Sequence, residues 1–190
     1  SLGIIEGKPD GSYGPTENVD RAQMAKMLSV IMNKGVDNSA LYQSVNSGLV
    51  DVNTNWAKGH INYCYTTGII AGRGNGKFDP SATVTALEAA KMLLVAVGYD
   101  PKIEGFEGAD WAINVSVRAD EQGIFEGFTK DLSAPLHRDD AALLIYNALD
   151  VEMIQSYTTN NYPIAYSDHR TILADKYGVI KVQGVVVANE

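Results

Sequence analysis

Cysteine is all but missing from this 190-residue chain. Cys64 is the only one, so no disulfide can form within the molecule and no cysteine-rich zinc site can be assembled. Its place on an apolar helical stripe marks it as a plain core thiol. Histidine is nearly as rare. His60, His137 and His169 stand in unrelated segments, without the close pairing that a zinc site uses, so no metal is expected. Basic residues are few: 15 lysines and arginines face 23 acidic residues, a net charge of −8. Such a chain lacks the basic face that nucleic acid or an anionic membrane would need. Long hydrophobic runs are absent. The best, residues 92–97 and 185–188, fall far short of the ~18 residues of a membrane span, so no membrane insertion is expected. A nucleophile elbow and a phosphate-binding loop are missing as well. Carboxylates are plentiful, but none stands in a context that would raise its pKa for acid–base work. The chain therefore reads as a non-enzyme without cofactors. No export leader is visible in it, since Ser1-Leu2-Gly3 opens directly into repeat sequence.

What the chain has in abundance is itself. Gly3-Ile4-Ile5-Glu6-Gly7 superposes on Gly68-Ile69-Ile70-Ala71-Gly72 without a gap, and the match runs on through Pro15 over Pro80, Val19 over Val84 and Ala25-Lys26-Met27-Leu28 over Ala90-Lys91-Met92-Leu93. A third copy follows: Gly123-Ile124-Phe125-Glu126-Gly127, then, after a short deletion, Pro135-Leu136-His137-Arg138 over the segment that begins near Thr83. Repetition at this spacing is the signature of stacked supersecondary units.

Each copy carries the same local instructions. A Gly-rich loop takes the chain through positive φ. An apolar residue then precedes a helix cap. Asp20 with Gln23, and Thr85 with Glu88, form capping-box patterns, and Val19 with Met24 is spaced as a hydrophobic staple. The helices that follow run to Gly35 and Gly98. A second helix precedes the later loops: Ala57, Ile61 and Cys64 share one face in copy two, and Ala112, Val115 and Ala119 share one in copy three. One unit is thus helix, Gly-rich loop, helix. Two helices cannot bury their own apolar faces, so three units should pack around a common axis. Copy one lacks its leading helix in this sequence, which leaves that axis incomplete. Residues 156–170 are polar and turn-rich and read as a linker. Beyond them, Val179-Ile180-Lys181-Val182 and Val185-Val186-Val187 are β-type runs. The loop 72–79 has cations where a calcium loop needs oxygens, and Glu104, Glu107 and Asp110 read as a solvated acidic loop.

Asp51, Trp56-Ala57, Ile61, Gly68-Ile69-Ile70, Gly72, Gly76, Phe78, Pro80, Val84-Thr85 and Glu88-Ala89-Ala90 together resemble a full S-layer homology repeat. The likeness covers about residues 1–150. It implies a mainly α fold of three helix–loop–helix repeats in a pseudo-threefold bundle, with a short β-type C-terminal segment. The units would be residues 1–45, 46–104 and 105–155, then a linker at 156–171 and the start of a further β-rich domain at 172–190. Members of the family bind secondary cell-wall polysaccharides, often pyruvylated, in grooves between neighbouring repeats. The resemblance thus implies an extracellular module that anchors a surface-layer-type protein to the cell wall. The rival is an assembly scaffold without glycan binding, whose partners are other surface-layer subunits.

The family's Thr-Arg-Ala-Glu-like motif matches Asp20-Arg21-Ala22-Gln23, Thr85-Ala86-Leu87-Glu88 and His137-Arg138-Asp139-Asp140. Its aspartate–tryptophan element matches Asn55-Trp56 and Asp110-Trp111. By this likeness the glycan-binding residues are Arg21, Asn55, Trp56, Gly72, Asp110, Trp111 and Arg138. Arg21 is expected to pair with Trp56. Ala86 beside Trp111 lacks a guanidinium, and Arg138 lacks a visible partner. An arginine at a helix tip, with free amides and the helix dipole behind it, suits a sugar carboxylate. A tryptophan suits the sugar ring. Without the likeness, Arg21 reads as a solvated helix residue, the tryptophans as core anchors and the glycines as structural.

Overall fold

The computed structural model describes residues 4, 5, 7, 10–159 and 162–180. Five helices form three units: α1 (Arg21–Met32); α2 (Lys58–Thr66) with α3 (Ala86–Ala96); and α4 (Trp111–Glu121) with α5 (Arg138–Ala148). A 3-10 turn at Ser39–Tyr42 bridges α1 and α2. The expected caps are in place. Asp20 accepts from the Gln23 amide while the Gln23 side chain accepts from the Asp20 amide, and Thr85 with Glu88 does the same for α3. Just past α2 and α4, Gly68 and Gly123 have φ of +79° and +70°, so the chain leaves each helix through a left-handed residue that only glycine adopts without strain.

The three units close around a ring, so the axis is complete even without a leading helix in unit one, contrary to the expectation from the sequence. The residues that precede α1, α3 and α5 form antiparallel bridges, Asp20 to Thr83, Thr85 to Pro135 and Asn18 to His137. At its centre the Val84 amide donates to the Val19 carbonyl (2.9 Å), Leu136 to Val84 (2.8 Å) and Val19 to Leu136 (2.8 Å). Each unit gives one hydrogen bond and takes one, and the three side chains are buried on the axis. Neighbours also cap each other's helices. Arg21 and Ala22 amides donate to the Ala82 and Pro80 carbonyls, Leu87 to Leu132, and Arg138 and Asp139 to Glu17 and Pro15. The orphan amides of each helix start are satisfied by the next unit's loop. Phe78, Phe106, Leu28, Leu93 and Leu144 are among the large side chains fully enclosed in one continuous core.

α2 covers α1 and α4 covers α3. In the repeat superposition Ser29 and Leu94 occupy one position, buried beneath those helices, and the third occupant, Tyr146 of α5, is 61% exposed. α5 packs on α3, and among the described elements no helix covers its outer flank.

Where a linker is expected, strands β1 (Glu152–Tyr157) and β2 (Ala165–Thr171) pair antiparallel with two register irregularities. Residues 172–177, expected to open a β-rich segment, form a short helix, α6 (Ile172–Tyr177). The Val182 and Val185-Val186-Val187 runs lie outside the described residues. The ribbon is held to the bundle along one edge. The Ile154 amide donates to the Val97 carbonyl (2.7 Å) and Leu173 to Leu149 (3.0 Å), while the Tyr157 hydroxyl receives the Asp100 amide and donates to Glu104. Glu104 also takes two bonds from Arg118, and its side chain is only 8% exposed, so it belongs to a buried network and not to the solvated acidic loop expected there.

Candidate ligand-binding cleft

A cleft of about 360 Å³ opens where all three units meet. α1 contributes Arg21, the Gly-rich loop of unit two contributes Ile69 to Arg73, α3 contributes Glu88, Lys91 and Met92, and unit three contributes Phe106, Glu107, Gly108 and Trp111. Three cations and two carboxylates therefore line one recess, a positive balance in a protein of net charge −8.

Arg21 forms the floor and is 3% exposed. Its Nε donates to the Phe78 carbonyl (2.8 Å), its Nη2 to the Ala71 carbonyl (2.7 Å), and its guanidinium carbon lies 4.5 Å from the centre of the Phe78 ring. Burial, and then the positive charge of Arg73, push the guanidinium down to about 10, so it stays charged at neutral pH. Arg73 reaches across the cleft to Glu88 at 2.8 Å. Glu88 is fixed in turn, because its other carboxylate oxygen accepts the Thr85 amide as part of the α3 capping box. The Lys91 ammonium sits 5.6 Å from the centre of the Trp111 ring, a cation–π contact. Burial lowers the Lys91 pKa, opposed by Glu107. Gly72 allows the loop to double back: a side chain there would meet the Lys77 carbonyl at 2.9 Å.

The site residues expected from the sequence are divided by the fold. Arg21, Gly72 and Trp111 come together in this cleft. The pairing of Arg21 with Trp56 is replaced by Arg21 with Trp111, because α1 is flanked by the loop of unit two and by the start of unit three. Trp56 is outside the cleft, 58% exposed, in the turn before α2, edge-on to His60 with centroids 6.5 Å apart. Asn55 accepts the Ala57 amide (2.8 Å) and shapes that same turn. Asp110 is exposed at the start of α4 and makes no side-chain cap. Arg138 donates from Nε to the Tyr13 carbonyl (2.9 Å) and lies over the Tyr13 ring at 5.3 Å. The superposition that carries Trp111 onto Trp56 and α3 onto α1 carries Arg21 onto Arg138 and Lys91 onto Lys26. Trp56 and Arg138 thus occupy the positions equivalent to Trp111 and Arg21.

One expectation is corrected outright. The tip of α1 has no free amides for an anion, since Arg21, Ala22 and Gln23 amides are bonded to Ala82, Pro80 and the Asp20 side chain. Sequence reasoning also passed over Arg73, Lys91, Glu88 and Glu107. The signal for Lys91 was present: it stands over Lys26, a cation repeated at one helical position. Among the described residues one grouping, His137 with Asp139 and Asp140, is tight enough to suggest a metal, but the Lys130 ammonium already rests on Asp140 at 2.6 Å.

The fold and the cleft define a closed helix–loop–helix repeat module. Residues 1–25 and 50–90 match the S-layer homology domain, and this chain belongs to that family. It is 31% identical over 156 residues to the cell surface protein of Thermoanaerobacter kivui, covering 82% of this chain and 19% of that protein. It is 27% identical over 191 residues to the middle cell wall protein of Brevibacillus brevis, covering 100% of this chain and 17% of the relative. Over 103 residues it is 34% identical to S-layer protein EA1 of Bacillus anthracis, covering 54% of this chain and 11% of the relative. The chain thus spans less than a fifth of the length of each. It belongs with these cell-surface and cell-wall proteins.

Proposed function

We propose that this chain is a non-catalytic anchor that holds a secreted surface protein on the cell wall by gripping an anionic wall polysaccharide in the cleft between units. The observation that carries this reading is the convergence of Arg21, Arg73 and Lys91 beside the Trp111 ring in an otherwise acidic protein. A carboxylate on a sugar, such as a pyruvate ketal, would exchange for Glu88 on Arg73 and take a charge-assisted bond from Lys91. The sugar ring would lie against Trp111. Protein and polymer are both anionic, so long-range electrostatics do not draw them together; recognition rests on short-range contacts and depends only modestly on salt.

The test is retention on purified wall sacculi, before and after chemical removal of the wall polymer. Retention is expected to vanish with the polymer, and Lys91→Ala and Trp111→Ala are each expected to weaken binding about tenfold or more while circular dichroism shows the helices retained. Retention that survives polymer removal would instead support the scaffold, in which the repeats assemble with other surface-layer subunits. Ala86 favours that rival to a degree, because it leaves the corresponding position of the third inter-unit cleft without a cation.

A further inference from the structure

The contacts of α2 on α1 and of α4 on α3 are equivalent, yet their chemistry differs at one place. Leu94 and Val115, both fully buried, stand at equivalent positions to Ser29 and His60. A hydroxyl and an imidazole have thus replaced two hydrocarbons inside a helix interface. Both are enclosed, 5% and 4% exposed, with Ser29 Oγ 2.6 Å from His60 Nδ1. Ser29 Oγ is also 2.9 Å from the Lys26 carbonyl. On the far side of the ring, His60 Nε2 lies 3.6 Å from the half-exposed Asp37 carboxylate. The edge of Trp56 packs on the same imidazole.

The one hydroxyl proton of Ser29 can go to His60 Nδ1 or to the Lys26 carbonyl, and a neutral imidazole satisfies either choice by changing tautomer. A cationic imidazole satisfies only the second, and it puts a charge into the helix interface. Two charged groups bear on it: Asp37, from the loop after α1, favours the cation, and Lys26, on α1 itself, opposes it. We propose that the Ser29–His60 pair is an acid-sensitive latch that holds α2, and Trp56 with it, against α1.

The direction follows from linkage. Burial is the largest influence and keeps the folded His60 pKa below its ordinary 6.5. At pH well above that value both folded and unfolded chains are neutral here, and the latch contributes fully. As pH falls through the unfolded value the unfolded segment takes up a proton that the folded one resists, and the contribution is lost progressively down to the folded pKa. The α3–α4 interface, with Leu94 and Val115, holds no imidazole at this place. Mild acid should therefore loosen one flank of the ring and leave the other in place.

The decisive comparison uses the full chain and the double substitution Ser29→Leu/His60→Val, which installs the residues of the sister interface. Hydrogen exchange, corrected for its intrinsic pH dependence, is followed in α2 and α4 between pH 7.5 and 5. In the parent, α2 is expected to lose protection relative to α4, by about tenfold for each unit that the pKa is depressed; in the double variant the difference should disappear. The proposal is overturned if α2 and α4 lose protection in parallel, or if the double variant keeps the same difference. Should that variant fail to fold, NMR titration of His60 in the parent decides: a midpoint below 6.5 supports the latch, and one at or above 6.5 overturns it.

Discussion

Arg21 ties two units together before it can meet any ligand. Its Nε and Nη2 are bonded to carbonyls of the neighbouring loop, so truncation would strand two acceptors and open a hole against Phe78. Arg21→Ala is expected to cost about 3 kcal/mol of stability, measured by denaturant unfolding, since leaving buried polar partners unmatched costs ~1–3 kcal/mol each. Arg21→Lys keeps the charge and should cost about half as much. A binding defect in Arg21→Ala would therefore report lost structure as much as lost recognition. Lys91 and Trp111, partly exposed in the cleft, are the cleaner probes. The sequence pointed to Arg21 as a site residue because of its place in the repeated motif. Its burial could not be read there. A residue in the first turn of a helix is ordinarily solvated, and what encloses this one is a loop some fifty positions away.

The helices were the most legible elements. The starts of α1 and α3 are written in capping boxes and the ends of α2, α3 and α4 in Gly68, Gly98 and Gly123, all local signals that need no tertiary help. The β-ribbon was not legible as a ribbon. It buries little of its own surface, so alternation is weak, and its docking needs clearance at a residue in another element. Gly98, just past α3, has φ of +105°, and a side chain there would collide with the Ile154 carbonyl. Gly98→Ala should thus both strain the helix end and push β1 away. The expected outcome is a loss of about 2 kcal/mol or more. Protease cleavage in 152–171 should rise with it, while α1 and α2 keep their exchange protection. Unchanged cleavage would mean that the ribbon is held mainly through Tyr157 and α6.

The number of units was legible from the superposition, and so was their arrangement about an axis. The direction of exchange around that axis was not. Which unit caps which helix depends on the sense in which Val19, Val84 and Leu136 pass their hydrogen bonds, and this decided that Arg21 shares a cleft with Trp111 instead of Trp56. Because every unit both gives and receives at the centre, damage there should not stay local. Leu136→Ala removes a fully buried side chain on the axis and is expected to cost about 2–5 kcal/mol. Circular dichroism and fluorescence of Trp56 and Trp111 should report one shared transition, shifted down together. Separate transitions would show that the units melt independently.

Open arrays of helical units lengthen or shorten by copying, because each added unit stacks on a free end. Here the ring is closed and offers no free end. With three donors answering three acceptors, a fourth copy would find neither, and two would leave one of each stranded in the core. Change in such a molecule is confined to the rim. Ala86 illustrates it: the unit has lost its guanidinium two residues from Val84, yet Val84 still hands on its bond. One position of the triad can lose its reach toward the outside world while its unit stays indispensable to the two companions.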